Sequence, residues 1–187
     1  MRVISGTAKG TNLFSPSGIG IRPTSGAVKE ALFSILSDAI YDCTFLDLFA
    51  GSGAIGIEAL SRGAKRAIFV DKCADSIRTV KRNLEKTHLS EKAEVIFSDA
   101  LSALKLIKKK EIKVDIAYID PPYKFSDENV EQLIDEIVKC RIMDNKGICI
   151  LEREAKNAVD FFVAGFEITK IKKYSDTVLI FMSAEEC

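Results

Sequence analysis

Apolar positions along this chain change period near residue 44. Upstream, Val28, Ala31, Leu32, Ile35 and Leu36 recur at i, i+3, i+4, i+7 and i+8, which is one buried helical face. Thr24 or Ser25 can cap the start of that helix. Val3-Ile4 and Leu13-Phe14 flank the turn formers Gly6 and Gly10, so residues 2–15 predict a small hairpin or extended arm. Gly18, Gly20 and Pro23 mark a loop between arm and helix. From residue 44, apolar runs at 45–49, 67–70, 95–97, 116–119 and 148–151 alternate with helical segments near 54–62, 74–87, 100–109 and 127–140. The last carries Val130, Leu133, Ile134, Ile137 and Val138 on one face. Strands apolar throughout and joined by helices predict a parallel sheet covered on both sides. Two closing runs, 166–171 and 177–182, are too near each other for a crossover helix and predict an antiparallel hairpin. The expectation is an α/β fold with a mostly parallel seven-stranded sheet. Residues 1–40 form a short N-terminal extension packed on a core domain, 41–187.

Composition narrows this only slightly. A chain of 187 residues fits one domain and buries about 70% of the surface of its unfolded form. With 47% hydrophobic and 29% charged residues it falls in the ordinary globular range. No run of apolar residues is long enough to span a membrane, and Met1–Gly6 lacks the apolar core of a secretory signal. Five scattered cysteines with no Cys-x-x-Cys pair predict reduced, mostly buried thiols, hence a cytoplasmic protein. The single histidine, His88, argues against a His-based triad or a His-rich metal site, and a helix end suits it; no metal is expected. Net charge is zero, but residues 1–29 carry Arg2, Lys9, Arg22 and Lys29 and no acid. That segment fits a nucleic-acid footprint or a solvated loop.

Candidate chemistry gathers at the strand ends. Asp120-Pro121-Pro122-Tyr123 follows the apolar run 116–119. Two prolines without N–H groups stop the strand rigidly and leave a carboxylate, a carbonyl and an aromatic ring at its tip. Those parts can hold a planar amino group; alternatively Asp120 caps the next helix. Open α/β sheets bind ligands at the carboxyl ends of their strands. Read in order, those ends are Asp47-Leu48-Phe49-Ala50-Gly51-Ser52-Gly53, Asp71, Ser98-Asp99-Ala100 and Asp120. Each finishes in a carboxylate, which suits a ligand with hydrogen-bond donors or positive charge.

Gly51-Ser52-Gly53-Ala54-Ile55-Gly56 fits G-x-G-x-x-G, with Asp71 twenty residues beyond Gly51. The pattern serves NAD, FAD or another adenosine cofactor. Asp47 separates them, because a carboxylate about 4 Å from a pyrophosphate charge is repelled by about 4 kcal/mol at an effective dielectric of 20. The same carboxylate attracts an ammonium group, so S-adenosylmethionine suits this edge. Asp71 can take both ribose hydroxyls and Asp99 can accept from the adenine amino group.

These ordered motifs, with Asp-Pro-Pro-Tyr, resemble the amino-group-directed class I methyltransferases. Met1-Arg2-Val3-Ile4-Ser5-Gly6, Lys9-Gly10, Arg22-Pro23-Thr24-Ser25, Val28–Phe33, Glu58–Ala64 and Tyr174-Ser175-Asp176-Thr177 narrow the resemblance to the RsmD family. The family comprises bacterial 16S ribosomal RNA guanine methyltransferases that modify the exocyclic 2-amino group. The resemblance implies a Rossmann-like class I methyltransferase fold and an S-adenosylmethionine site. That site would comprise Asp47, Phe49, Ala50, Gly51, Ser52, Gly53, Asp71, Lys72, Ser98, Asp99 and Ala100. It implies catalysis at Asp120, Pro121, Pro122 and Tyr123, and RNA contacts from Arg2, Lys9, Arg22 and Thr24. The implied partner is ribosomal RNA within a small-subunit particle, bound by a monomer. Gly26-Ala27 stands where the family typically carries an acidic-basic pair, and Ser175 replaces a glycine. The rival readings are adenine-N6 methylation of DNA or RNA, a non-catalytic RNA-binding assembly factor, and an NAD oxidoreductase.

Overall fold

A computed structural model describes residues 1–16, 26–122, 125–155 and 165–184. The elements in chain order are α1 (Gly26–Leu36), β1 (Thr44–Asp47), α2 (Ala54–Ser61), β2 (Arg66–Asp71), α3 (Ala74–Thr87), β3 (Ala93–Phe97) and α4 (Ala100–Lys109). They continue with β4 (Val114–Ile119), α5 (Asp127–Cys140), β5 (Met143–Glu154), β6 (Phe166–Tyr174) and β7 (Thr177–Ala184). The strands form a seven-stranded sheet in the order β3-β2-β1-β4-β5-β7-β6. By internal packing the chain divides into two compact units, Met1–Asp99 and Ala100–Cys187.

In the first unit, β1, β2 and β3 pair in parallel, Asp47 opposite Phe69 and Asp71 opposite Phe97. Phe45, Leu46, Ile68 and Phe69 are buried, as strands covered on both faces require. Every residue of α2 is buried as well. Its close seat on β2 depends on Gly56, where a Cβ would fall 2.4 Å from the Phe69 ring. The N-terminal residues do form a small hairpin, with Arg2 bridged to Asn12 and the Val3 N–H donating to the Thr11 carbonyl at 3.0 Å. The predicted helix near 74–87 is α3, which buries Ile77, Val80 and Leu84 on one face. It ends at exposed His88, which closes the helix at a positive φ of 57°.

In the second unit, β4 and β5 are parallel, while β5–β7 and β6–β7 are antiparallel. The C-terminal hairpin is thus present, but its link is shorter than the apolar pattern suggests. Strand β6 continues through Lys172, Lys173 and Tyr174, leaving only Ser175 and Asp176 as the turn. As an edge strand with one partner, β6 exposes Lys172 and Lys173 and half-buries Tyr174, so its hydrophobic run stops before its hydrogen bonding does. Strand β5 likewise begins at Met143, five residues ahead of its apolar run. On α5, Val130, Leu133, Ile134 and Ile137 are buried, while Val138 is half-buried.

The four described cysteines are free; Cys43, Cys140 and Cys149 are buried and Cys73 is exposed. Among the described residues no helix is long and apolar enough to cross a membrane, and none of their His, Cys, Asp and Glu groups could hold a metal ion. Arg22, Thr24 and Tyr123 lie outside the described residues, as do Gly18, Gly20, Pro23, Ser25 and Cys187.

Candidate active site

Strand β1 ends at Asp47 and the chain turns through Leu48–Gly53 into α2. Gly51 and Gly53 both lie at positive φ, 54° and 77°, and among the described residues, its chain neighbours aside, a Cβ on Gly51 would meet no atom within 4 Å. Ala50 is buried and Phe49 half-buried, and the Ala50 N–H is fixed on the Val70 carbonyl at 2.9 Å. At the tip of β2, one Asp71 oxygen accepts the Gly51 N–H at 2.9 Å and the other the Cys73 N–H at 2.8 Å. Each oxygen keeps a lone pair for a further donor. Lys72, next to it, is exposed.

Asp47 sits beneath this loop, 2% exposed, with Oδ2 accepting the Gly56 N–H at 3.2 Å. Burial, reinforced by the nearby Asp71 charge and only partly offset by the Gly56 N–H, pushes its carboxyl up to about 7. A pyrophosphate would bring further negative charge beside Asp71 and a carboxyl whose ionisation burial already disfavours.

At the end of β3, Ser98 is half-buried and Asp99 exposed, and the Ser98 N–H donates to the Asp71 carbonyl at 3.1 Å. The β2 and β3 tips are thereby tied. Ala100 opens α4.

In the second unit, β4 ends at Ile119 and half-buried Asp120 follows immediately. Pro121 and Pro122 leave the sheet, and the Pro122 carbonyl accepts the Phe125 N–H at 2.8 Å. The next helix, α5, is capped by Ser126, whose hydroxyl accepts the Asn129 N–H at 3.3 Å. Asp120 is therefore not the α5 cap.

Four residues are central to the first unit; of these, sequence reasoning read a role only for Lys29, as part of a basic nucleic-acid footprint or solvated loop, whereas the structure buries it. Glu58, fully buried on α2, accepts the Ile4 N–H at 2.8 Å and the Ser5 N–H at 2.9 Å. It also pairs with Lys29 at 2.8 Å and Arg62 at 2.9 Å. Lys29, itself buried, donates to the Arg2 carbonyl at 2.8 Å. One turn on, the Ser61 hydroxyl donates to the Ser5 carbonyl at 2.6 Å and accepts the Ala8 N–H at 2.9 Å. Gly6 is obligatory between them, because a Cβ there would lie 1.7 Å from the Ser61 carbonyl oxygen. Asn83, fully buried on α3, brackets Phe14 and reaches the Ser52 carbonyl at 2.8 Å, joining arm to glycine loop. The available signals were an acid inside the apolar run Ala54–Ser61 and an amide on the apolar face of α3.

The arm uses backbone groups for this docking, leaving the Arg2 and Lys9 side chains exposed.

The family described as "Conserved hypothetical protein 95" matches residues 1–183. "Putative rRNA methyltransferase YlbH" of Bacillus subtilis is 37% identical over 177 residues, covering 95% of each chain. "Ribosomal RNA small subunit methyltransferase D" of Escherichia coli is 31% identical over 172 residues, 92% of this chain and 84% of that one. Among solved structures, "Putative methyltransferase yhhF from Escherichia coli" superposes with a TM-score of 0.86 at 29% identity, over 100% of this chain and 99% of the other. The structure "SMU.776, a putative methyltransferase complexed with SAH" shares the fold at a TM-score of 0.70 and 18% identity, over 88% of this chain and 50% of the other. A Rossmann-like sheet closed by an antiparallel hairpin, Asp71 facing the glycine loop and a near end-to-end sequence match all agree: the chain belongs to the RsmD family of methyltransferases.

Proposed function

We propose that this protein transfers a methyl group from S-adenosylmethionine to the exocyclic 2-amino group of a guanine in small-subunit ribosomal RNA. Ribosomal RNA is the substrate named for its relatives in Bacillus subtilis and Escherichia coli; the guanine amino group rests on the resemblance to the RsmD family. The exit of β4 is the observation that carries the chemistry: a carboxylate at the strand tip, spared from helix capping, and a carbonyl on a rigid proline.

The first unit fits an adenosyl cofactor. Asp71 retains acceptor capacity for two ribose hydroxyls, the space over Gly51 is open among the described residues, and exposed Asp99 carries a carboxylate suited to an adenine amino group. The paired carboxylates Asp47 and Asp71 disfavour a pyrophosphate and favour a cationic ligand. Lys72, Phe49, Ala50, Ser52, Gly53, Ser98 and Ala100 complete the proposed set. When bound, the cofactor supplies an electrophilic methyl on a sulfonium.

A guanine amino nitrogen is a weak nucleophile because its lone pair is delocalised into the ring. Asp120 and the Pro121 carbonyl accept its two N–H bonds, drawing it toward tetrahedral geometry and aiming the lone pair at the methyl carbon. Once methylated, the nitrogen would lose its surplus proton to Asp120 or to water. Alignment supplies most of the rate, with effective molarities of about 10⁵–10⁸ M accessible to well-oriented groups. Pro122 stiffens the turn, and Tyr123 stacks on a base turned out of its helix or loop. The charges of Arg2, Lys9 and Arg22, with Thr24, hold phosphates, which orients RNA without reading its sequence. In this reading the enzyme works as a cytoplasmic monomer, its residues 1–40 laid on the catalytic domain.

The test incubates the protein and labelled S-adenosylmethionine with ribosomal RNA, both free and as small-subunit particles lacking the modification, then identifies the labelled nucleoside after digestion. Label in 2-methylguanosine is the expected outcome. Label in 6-methyladenosine overturns the guanine assignment, and absence of label with cofactor bound overturns catalysis on these substrates.

A further inference from the structure

The N-terminal hairpin ends in Phe14, a large apolar residue left 39% exposed. It is held firmly. Its N–H donates to Asn83 Oδ1 at 2.8 Å and its carbonyl accepts from Asn83 Nδ2 at 3.0 Å. Two cations from α3 lie over the ring, the Arg82 guanidinium 4.3 Å and the Lys86 ammonium 4.5 Å from its centroid. They are one helical turn apart, so they approach from the same helix face. Exposed Arg78 and Lys81 extend the positive surface, tempered by Glu85 and by Asp75, which pairs with Arg78 at 3.1 Å.

A solvated helix face accounts for the cations but not for a half-exposed ring fixed beside them. A simple anchor for the arm would bury the ring, as Val3 and Leu13 of the same hairpin are buried. A rigid aromatic surface bordered by cations that face solvent matches unpaired nucleic acid, whose bases stack on aromatic rings while its phosphates meet Lys and Arg.

We infer that Phe14, Arg82 and Lys86 form a docking platform for a single-stranded stretch of the RNA substrate, a base on the open part of the ring and phosphates on the two cations. The platform rests on the proposed RNA methylation. It adds a surface on α3 to the N-terminal contacts, and Asn83 places it directly beside the glycine loop through Ser52.

The experiment measures binding of small-subunit ribosomal RNA, free and in particles, by filter retention at several salt concentrations, together with methyl transfer and S-adenosylmethionine affinity. It compares wild type with Phe14→Ala, Phe14→Trp and the pair Arg82→Gln/Lys86→Gln, each checked for fold by circular dichroism. Phe14→Ala should weaken RNA binding about five- to hundredfold, with Phe14→Trp restoring it. The paired variant should flatten the salt dependence by about 1.4 in logarithmic slope, two phosphate contacts of about 0.7 each. Cofactor affinity should stay within about twofold throughout. Wild-type RNA affinity and slope in all variants, with transfer intact, overturn the platform and leave the methyltransferase reading standing. Loss confined to particles places a ribosomal protein on this surface and also overturns it. A wild type that neither binds nor methylates RNA overturns both.

Discussion

Replacing Glu58 with glutamine is the sharpest probe of how the arm is held. The carboxylate is fully buried, accepts two backbone N–H groups of the arm, and faces Lys29 and Arg62, with Lys29 only 4% exposed. Glutamine preserves volume and one acceptor oxygen but removes the charge that compensates a buried ammonium. Breaking one side of such a pair costs about 3–5 kcal/mol, because the other charge stays buried and uncompensated. That is a large share of the about 5–15 kcal/mol that holds a typical domain folded. Equilibrium urea unfolding by circular dichroism measures the loss. Trypsin cleavage after Lys9, whose segment the network pins, should accelerate. Adding Lys29→Met should recover a good part of the loss, since the uncompensated charge is then gone. Acid supplies a further check. Burial raises the Glu58 pKa, but the Lys29 hydrogen bond, the Ile4 N–H, the Lys29 charge and the Arg62 bond outweigh it and hold it below its ordinary 4.5. A depressed carboxyl contributes stability above its unfolded value that disappears as pH falls through the folded one. Wild type should therefore lose stability below pH about 4.5 more steeply than Glu58→Gln. A loss under about 1 kcal/mol, or no recovery in the double variant, refutes this account of the network.

Three other substitutions test the site. Asp71→Ala should weaken S-adenosylmethionine by about 1.5–3 kcal/mol, the size of hydrogen bonds to a charged group, and unchanged affinity by calorimetry speaks against the assignment. Asp120→Ala should abolish transfer while leaving cofactor affinity within about fivefold, a difference below 1 kcal/mol; loss of cofactor binding in that variant removes Asp120 from the catalytic role. Asp47 is raised from 3.8 to about 7 in the fold, so its contribution to stability is full below its unfolded value and is lost as pH rises through about 7. Asp47→Asn keeps an acceptor for the Gly56 N–H, so thermal melts of the ligand-free protein should show it more stable than wild type by about 2–4 kcal/mol at pH 8. Equal melting points at that pH count against a carboxyl raised by burial in the fold.

The Tyr174–Thr177 turn shows how a departure from the family pattern reads once backbone angles are known. Ser175, standing where the RsmD family usually has glycine, adopts a positive φ of 49°. That conformation is costly for a residue with a Cβ and free for glycine. The sequence flags the exchange; only the backbone explains it.

Period and punctuation carried α3, α4 and α5 to their observed ends, because an amphipathic helix writes its buried face every three or four residues and its boundaries in local chemistry. The same locality made the glycine loop, Asp71 and the proline exit of β4 legible. Edge strand β6 was only partly readable, since hydrogen bonding to a single neighbour holds exposed lysines in a strand that hydrophobicity does not mark. The roles of Glu58, Ser61 and Asn83 were set by tertiary structure alone. Each bonds backbone groups more than fifty residues away in sequence, as Asn83 does at Phe14, Glu58 at Ile4 and Ser61 at Ser5. Composition and spacing encode what a segment does with its neighbours in the chain; which distant backbone satisfies a buried carboxylate or amide is decided by how the fold brings them together.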